Sequence, residues 1–110
     1  MPSPVRVQLS RRKGWRLPPD TVKVDRSTRW GNPFVAGKHG TQAECVALFA
    51  QLARGYVPIT FGRETYEAAR ESLRLICEEI GNLRGKNLAC GCGLDQPCHA
   101  DVLLMLANPS

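Results

Sequence analysis

The segment NLACGCGLDQPCHADVLLMLA, residues 87–107, contains the strongest indications of the fold. Its first four residues, Asn87–Cys90, form a short apolar run of the kind found in buried strands. Residues 98–107 are apolar on nearly every side, which predicts a helix packed against the core and not on the surface. Either Asp95 or Gln96 is the predicted cap of this helix. The stretch therefore predicts a strand and a helix joined by a cysteine-rich loop.

Two shorter strands and an irregular loop precede this unit. Residues 5–9 alternate valine or leucine with polar side chains, and residues 22–24 repeat the alternation after two consecutive prolines. A period of two is typical of half-buried strands. Residues 26–40 contain three glycines and a proline, which are too closely spaced for a regular element. The sequence predicts a loop there.

Two amphipathic helices occupy the middle of the chain. Thr41 and Glu44 have the spacing of a capping box, which predicts a helix that begins there and ends at residues 54–55. The second helix is predicted over Arg63–Ile80, with one apolar stripe and one charged side. The order strand, strand, loop, helix, helix, strand, helix predicts an α/β fold. In it, a small single-layer sheet of short strands is packed by about three helices.

Length and charge predict one domain with an uneven surface. The 110 residues suffice for a single core, with residues 1–20 as a basic amino-terminal arm that includes a strand and residues 21–107 as the main body. Of the net charge of +5, residues 1–40 carry +7 and residues 41–110 carry −2. This asymmetry favours an anionic partner near the amino terminus. The alternative is a basic arm that only keeps the protein soluble.

Hydropathy and cysteine usage predict a cytoplasmic protein with no membrane partner. The sequence has no run near the roughly 20 apolar residues that span a bilayer, and its amino terminus lacks the apolar core of a signal peptide. Five cysteines are an odd number, which fits metal binding or thiol chemistry better than a secreted disulfide framework. Cys45 and Cys77 fall on apolar helix faces and are predicted to be small buried hydrophobes.

Three cysteines and a histidine crowd into CGCGLDQPCH, residues 90–99. Cys90 and Cys92 are two apart in an extended chain, so their sulfurs point to the same side, and the loop returns Cys98 and His99 towards them. Three thiolates and one imidazole are a tetrahedral zinc set. The adjacent pair argues against four ligands on one ion, because neighbouring helical residues diverge by roughly 100°. An iron–sulfur cluster suits the same ligand types.

A second interpretation leaves the thiols without any metal. The start of the last helix has unpaired N–H groups that favour a thiolate at Cys98, and His99 is close enough in sequence to act as a base or proton carrier. Cys98 or Cys90 would then be a catalytic nucleophile. The same helix start also suits a bound phosphate. A purely structural role, with the cysteines filling space around a glycine-rich turn, is the remaining alternative.

The segment DRSTRWGNPF, within the predicted loop, contains five candidate ligand-binding residues: Arg26, Arg29, Trp30, Asn32 and Phe34. The two aromatic rings are flat surfaces on which a base or sugar can stack, the arginines carry charge, and the asparagine both donates and accepts hydrogen bonds. Such residues on a loop are typical of a binding site. The alternative is a structural corner, in which the glycine turns the chain and the aromatic rings fill the core.

These motifs resemble the family catalogued as domain of unknown function 4326, found in phage and bacterial proteins. The likeness lies in RSTRWGNPF, a helical middle, LRGKNLACGC and PCHADVLL, in that order, over about residues 20–106. The family more often has an aromatic residue, typically Trp, where this chain has Gly91, and often has glycine where it has Ala100. The resemblance implies no reaction. It does imply that the RWGNPF residues and the cysteine cluster belong to one constellation.

Three functional hypotheses remain open. The first is a module that binds an anionic ligand, a nucleotide or nucleic acid, in a pocket formed by the RWGNPF loop and a zinc-holding Cys/His cluster. The second is a thiol-dependent enzyme of nucleotide or base modification, in which Cys98 and His99 are catalytic. The third is a phage accessory protein that acts by protein contact. The resemblance implies the cytoplasm of a bacterial or phage-infected cell.

Overall fold

The computed structural model describes residues 3–109. Its elements are β1 (Arg6–Gln8), β2 (Thr21–Lys23), α1 (Gln42–Ala53), α2 (Arg63–Glu79), a 3₁₀ turn (Ile80–Leu83), β3 (Asn87–Cys90) and α3 (His99–Ala107). The predicted order of strands and helices is confirmed. Among the helices of this described range, none is both long and apolar enough to cross a membrane.

The three strands form one parallel sheet in the order β1-β3-β2. The central strand is β3, whose Ala89 lies opposite Val7 of β1 and Lys23 of β2. Because the strands are parallel, their carboxyl ends meet at one edge of the sheet, where Cys90 ends the central strand. The predicted α/β class, a small sheet packed by three helices, is confirmed.

The core lies between this sheet and the helices, and α3 contacts β1, β3, α1 and the 3₁₀ turn. The largest fully buried apolar side chains are Phe34, Phe49, Leu52, Leu83, Leu88 and Leu103. Burial of each large apolar side chain stabilises the fold by about 1.5–3 kcal/mol. The prediction that α3 avoids the surface is wrong for Met105, which is 76% exposed. It lies two residues after Leu103, roughly 200° around the helix from the core-facing side.

The capping box at the start of α1 is confirmed. The Thr41 hydroxyl oxygen accepts a hydrogen bond from the Glu44 backbone N–H (3.1 Å), and the Glu44 carboxylate accepts one from the Thr41 N–H (2.9 Å). Two backbone donors that have no partner inside the helix are thereby satisfied.

The cap of α3 differs from the prediction. Cys98, and neither Asp95 nor Gln96, is the capping residue, and its sulfur accepts a hydrogen bond from the Ala100 N–H at 3.5 Å. Gln96 belongs to a turn that precedes the helix. Its backbone N–H donates a hydrogen bond to Gly93 O (2.9 Å), which closes this turn.

The two cysteines outside the cluster differ in their exposure to solvent. Cys45 on α1 is buried, as predicted, but Cys77 on α2 is exposed, so the prediction for Cys77 is wrong. Cys77 follows the buried Ile76. A helix turns roughly 100° per residue, which carries Cys77 away from the core and towards solvent.

Candidate metal centre

Three thiols stand together at the carboxyl edge of the sheet. Cys90 ends β3, and Cys92 follows it with its sulfur 3.7 Å from the Cys90 sulfur. The loop of residues 93–97 brings Cys98 back, and all three sulfurs lie within 4.8 Å of one another. Cys90 and Cys98 are buried, and Cys92 is half-buried. The three cysteines are therefore close enough to hold a metal ion.

The spacing of the thiols matches zinc coordination. Tetrahedral zinc has Zn–S bonds of about 2.3 Å, which place two bound sulfurs about 3.8 Å apart. The Cys90 and Cys92 sulfurs already have this separation. In the described part of the chain these three thiols are free, without a disulfide.

The His99 ring lies beside the cluster but outside the group whose ligand atoms are all within 4.8 Å. Its Nδ1 is 3.7 Å from the Cys98 sulfur. Cys98 has an extended backbone, with φ −148° and ψ 142°, and only His99 is helical. The expected divergence of two helical neighbours therefore does not apply to this pair, and the two side chains approach each other.

Two backbone carbonyl groups, one just after β2 and one in the RWGNPF loop, determine which nitrogen of His99 faces the sulfurs. Its Nε2 is 2.7 Å from Val24 O and 3.1 Å from Trp30 O. Carbonyl oxygens only accept hydrogen bonds, so Nε2 carries the proton and donates. Burial lowers the pKa of His99, and the ring packs edge-on against Phe49. The neutral ring thus presents the Nδ1 lone pair on the side of Cys98.

The three thiols titrate unequally. A hydrogen bond with the Cys98 side chain lowers the pKa of Cys90 to about 5. The same hydrogen bond, together with burial, raises the pKa of Cys98, and burial raises the pKa of Cys92. Without a metal, Cys90 is therefore the cluster thiol that ionises most readily.

Arg6 holds the cysteine loop, a role that the sequence analysis did not assign. Its guanidinium donates hydrogen bonds to Gly93 O (3.2 Å) and Leu94 O (2.7 Å) and pairs with the Asp101 carboxylate (3.2 Å). The alternation along β1 marks Arg6 only as a polar position, and no local pattern indicates a contact this distant in sequence.

Gln42 holds the other side of the loop and was also missed. It is the first residue of α1, and its amide donates a hydrogen bond to Pro97 O (2.8 Å). The same nitrogen lies 3.3 Å from the Cys92 sulfur, as a donor to it. The amino terminus of α1 thereby positions one of the three thiols.

The RWGNPF loop packs into the core as a corner. Phe34 is fully buried, and Trp30 and Asn32 are buried. The Asn32 amide donates to Cys45 O (3.1 Å), and its side-chain oxygen accepts from the Phe34 N–H (2.9 Å). The rings of Trp30 and Phe34 leave no open face for a stacked base, whereas Trp30 O holds His99.

The two arginines of this loop are exposed and form their side-chain hydrogen bonds within the loop and with α2. Arg26 donates to Asn32 O (3.3 Å) and Phe34 O (3.4 Å), which braces the corner. Arg29 is 70% exposed and forms two hydrogen bonds of 3.2 Å with the Glu79 carboxylate. The structure thus brings the loop and the cluster together through backbone carbonyls and not through the predicted charged side chains.

A cavity of about 440 Å³ opens beside the cluster at the carboxyl edge. Its lining comes from the ends of all three strands and from the connection between β1 and β2: Leu9, Ser10, Arg11, Trp15, Leu17, Lys23, Asp25 and Gly91. None of the five predicted ligand-binding residues is among them. Residues 9–17 of this lining belong to the basic amino-terminal arm, and no local sequence pattern indicates that they form a cavity wall.

Fold and site together define a small α/β domain with a cysteine cluster that is able to hold a metal ion. A family model described as Domain of unknown function (DUF4326) matches residues 7–109, and the chain belongs to this family. The family resemblance is confirmed, and the match extends from β1 to beyond α3. Neither the curated proteins nor the solved structures contain a significant match.

Proposed function

We propose that the protein is a zinc-binding domain that binds an anionic ligand at the carboxyl edge of its sheet. The observation that carries the zinc assignment is the group of three sulfurs within 4.8 Å of one another. Thiolate ligands in tetrahedral geometry favour zinc, and the small number of donors suits a single ion. The supporting contacts from Arg6 and Gln42 hold the loop that carries these ligands.

His99 is the fourth ligand in this proposal. A histidine that binds metal usually donates its other ring N–H to a carbonyl or carboxylate, as Nε2 does here with Val24 O and Trp30 O. Zn–N bonds of about 2.0–2.1 Å and Zn–S bonds of about 2.3 Å place a bound nitrogen and a bound sulfur about 3.6 Å apart. The Nδ1 atom of His99 is 3.7 Å from the Cys98 sulfur, which is close to this separation.

A catalytic nucleophile is less well supported than a metal ligand. The thiol with the lowered pKa, Cys90, is 5% exposed, and Cys98 is fully buried with a raised pKa. A nucleophile needs both thiolate character and access for its substrate. A four-ligand zinc site is closed and stabilises the fold, which leaves ligand binding to the neighbouring surface.

The anionic ligand belongs in the cavity beside the cluster in this proposal, and not at the RWGNPF loop. The cavity includes two basic side chains, Arg11 and Lys23, and it lies where ligands of parallel α/β sheets bind. A reducing compartment keeps cysteines available for zinc. We therefore place the protein in the cytoplasm of a bacterial or phage-infected cell.

The zinc proposal is tested by elemental analysis of the purified, untagged protein together with thiol counts in native and denaturing buffer. We expect about one zinc ion per chain. We also expect one rapidly reacting thiol in the native protein, the exposed Cys77, with the cluster protected until the zinc is chelated. Iron with sulfide in place of zinc, or metal-free protein with reactive cluster thiols, would contradict the proposal.

Matched serine variants connect the zinc to its ligands. Cys92→Ser removes a half-buried ligand and is expected to lower the zinc content well below that of the wild type. Cys77→Ser makes the same chemical change at an exposed position and is expected to retain full zinc. Equal zinc content in the two variants would show that the cluster is not the metal site.

A further inference from the structure

The cavity at the carboxyl edge is built by the ends of all three parallel strands. Leu9 and Arg11 follow β1, Asp25 follows β2, and Gly91 follows β3. The position outside the carboxyl ends of parallel strands is the usual ligand site of α/β sheets. The volume of about 440 Å³ is within the range of small-molecule sites. The fold therefore directs a small ligand to this edge.

The lining combines charge with an aromatic surface. Arg11 and Lys23 are the basic side chains of the cavity, and neither forms an ion pair with another residue of the described range 3–109. Their charge is therefore available to an anion. Trp15 is half-buried and contributes an indole ring to the wall. Aromatic side chains stack on nucleobases in a sequence-tolerant way.

Asp25 adds a selective acceptor. Its carboxylate accepts a hydrogen bond from the Ser27 hydroxyl at 2.7 Å, which orients it, and it lines the same cavity. A carboxylate repels bare phosphate but accepts hydrogen bonds from hydroxyl or amine groups. The cavity thus has a cationic part, an aromatic part and an acceptor for ligand donors.

From this combination we infer that the cavity binds a mononucleotide. Arg11 and Lys23 bind the phosphate, Trp15 stacks on the base, and Asp25 accepts from a ribose or base donor. The inference deepens the proposed function, since it rests on an anionic ligand at this edge and specifies its class. It does not require the zinc ion.

A larger open groove of about 670 Å³ runs along α2, but it carries no comparable argument. Two of its acidic side chains, Glu67 and Glu71, pair with arginines of the same helix. The smaller cavity is the one where unpaired basic groups, an aromatic ring and the carboxyl edge coincide.

The inference is tested by calorimetric titration of the full chain with each of the four ribonucleoside 5′-monophosphates. Inorganic phosphate, the corresponding nucleosides and a single-stranded oligonucleotide serve as comparison probes. We expect at least one mononucleotide to bind saturably and more tightly than phosphate or its nucleoside. No saturable binding of any mononucleotide at about 1 mM, where affinities near −4 kcal/mol are still detected, would overturn the inference.

Variants assign the binding to the cavity. Arg11→Ala and Lys23→Ala are each expected to weaken mononucleotide binding about tenfold. Arg12→Ala removes the same charge from an adjacent exposed residue that does not line the cavity, and is expected to leave the affinity within about twofold. Equal losses in the Arg11 and Arg12 variants would indicate general charge attraction and overturn the inference.

A blocking variant gives a second test. A Cβ at Gly91 meets nothing within 4 Å, so Gly91→Phe is expected to place its ring in the cavity without a backbone clash and to abolish binding. Its zinc content and unfolding midpoint show whether the fold is intact. Unchanged nucleotide affinity in a folded Gly91→Phe protein would contradict the assigned cavity.

Failure of this inference is distinguishable from failure of the proposed function. A protein that contains zinc but binds no mononucleotide would overturn the proposed ligand class alone. If only the oligonucleotide binds, and this binding depends on Arg11, the ligand class is nucleic acid and not a mononucleotide. Mononucleotide binding by zinc-free protein would overturn the zinc assignment and support the cavity. Each sample is therefore analysed for zinc before titration.

Discussion

Replacing Asn32 by alanine distinguishes a structural corner from a ligand-binding loop. In the structure, the Asn32 side chain satisfies two buried backbone groups, Cys45 O at 3.1 Å and the Phe34 N–H at 2.9 Å. Asn32→Ala removes both hydrogen bonds, so the Phe34 N–H loses its partner, whereas Cys45 O keeps the bond that it accepts from the Phe49 N–H inside α1. If Asn32 instead served an anionic ligand, its removal would affect binding and leave the stability of the fold nearly unchanged.

The magnitude follows from these two losses. A buried donor without a partner costs about 1–3 kcal/mol, and the second hydrogen bond of a carbonyl that stays paired contributes about 0.5–1.5 kcal/mol. Water that enters the vacated space satisfies part of this loss, which favours a decrease of about 1–3 kcal/mol in the free energy of unfolding. With a urea m-value of about 2 kcal/mol/M, the unfolding midpoint falls by about 0.5–1.5 M. The variant should remain folded in buffer.

Urea unfolding followed by circular dichroism measures this shift. Asn82→Ala is the matched control, because it makes the same substitution at an exposed residue of the 3₁₀ turn. It is expected to change the free energy of unfolding by less than about 0.5 kcal/mol. If the Asn32 and Asn82 variants unfold at the same urea concentration, the interpretation of the loop as a hydrogen-bonded corner is refuted.

Two further predictions concern backbone space and helix capping. A Cβ at Gly31 would meet the backbone of residues 25–26 at 2.9 Å, whereas one at Gly81 meets nothing within 4 Å. Gly31→Ala is therefore expected to lower the free energy of unfolding by about 1–3 kcal/mol, and Gly81→Ala to change it by less than about 1 kcal/mol. Thermal unfolding of the pair compares them, and equal melting temperatures would contradict the close approach. The Thr41 backbone N–H lowers the pKa of Glu44, so the stabilisation by its carboxylate is complete above the ordinary carboxyl pKa and is lost as the pH falls through the lowered one. Urea midpoints measured from about pH 6 to about pH 2 should show this component in the wild type and lack it in Glu44→Gln, and superimposable pH profiles would refute it.

Local signals in the sequence were sufficient for the order of the strands and helices, although not for the cap of α3. Thr41 and Glu44 lie within four residues of each other, and the side chain of each accepts a hydrogen bond from the backbone N–H of the other. Their spacing alone therefore predicts where α1 begins. The alternation at residues 5–9 and the apolar run at residues 87–90 likewise predicted strands that the structure contains. These features depend on neighbours in the chain, which is why pattern and propensity reveal them.

The role of the RWGNPF loop could not be predicted in the same way. An aromatic residue beside glycine and proline is equally compatible with an exposed binding loop and with a buried corner. What decides between them is packing against distant residues, such as the contact of Trp30 O with His99 across 69 positions of sequence. Arg6 reaches Leu94 across 88 positions, and no periodicity in β1 distinguishes it from an ordinary solvent-facing arginine.

The geometry of His99 connects the RWGNPF loop with the cysteine cluster, although none of residues 29–34 lines the cavity beside the cluster. The carbonyls of Val24 and Trp30 fix the protonated nitrogen, and that choice leaves the other nitrogen facing Cys98. The corner therefore determines how the histidine meets the thiols, while the positive charge of the amino-terminal third reaches the sheet edge through Arg11 and Lys23. Because metal and ligand would use different side chains of the same edge, a substitution in the corner should reduce stability and zinc retention first. A substitution in the cavity lining should reduce ligand affinity alone.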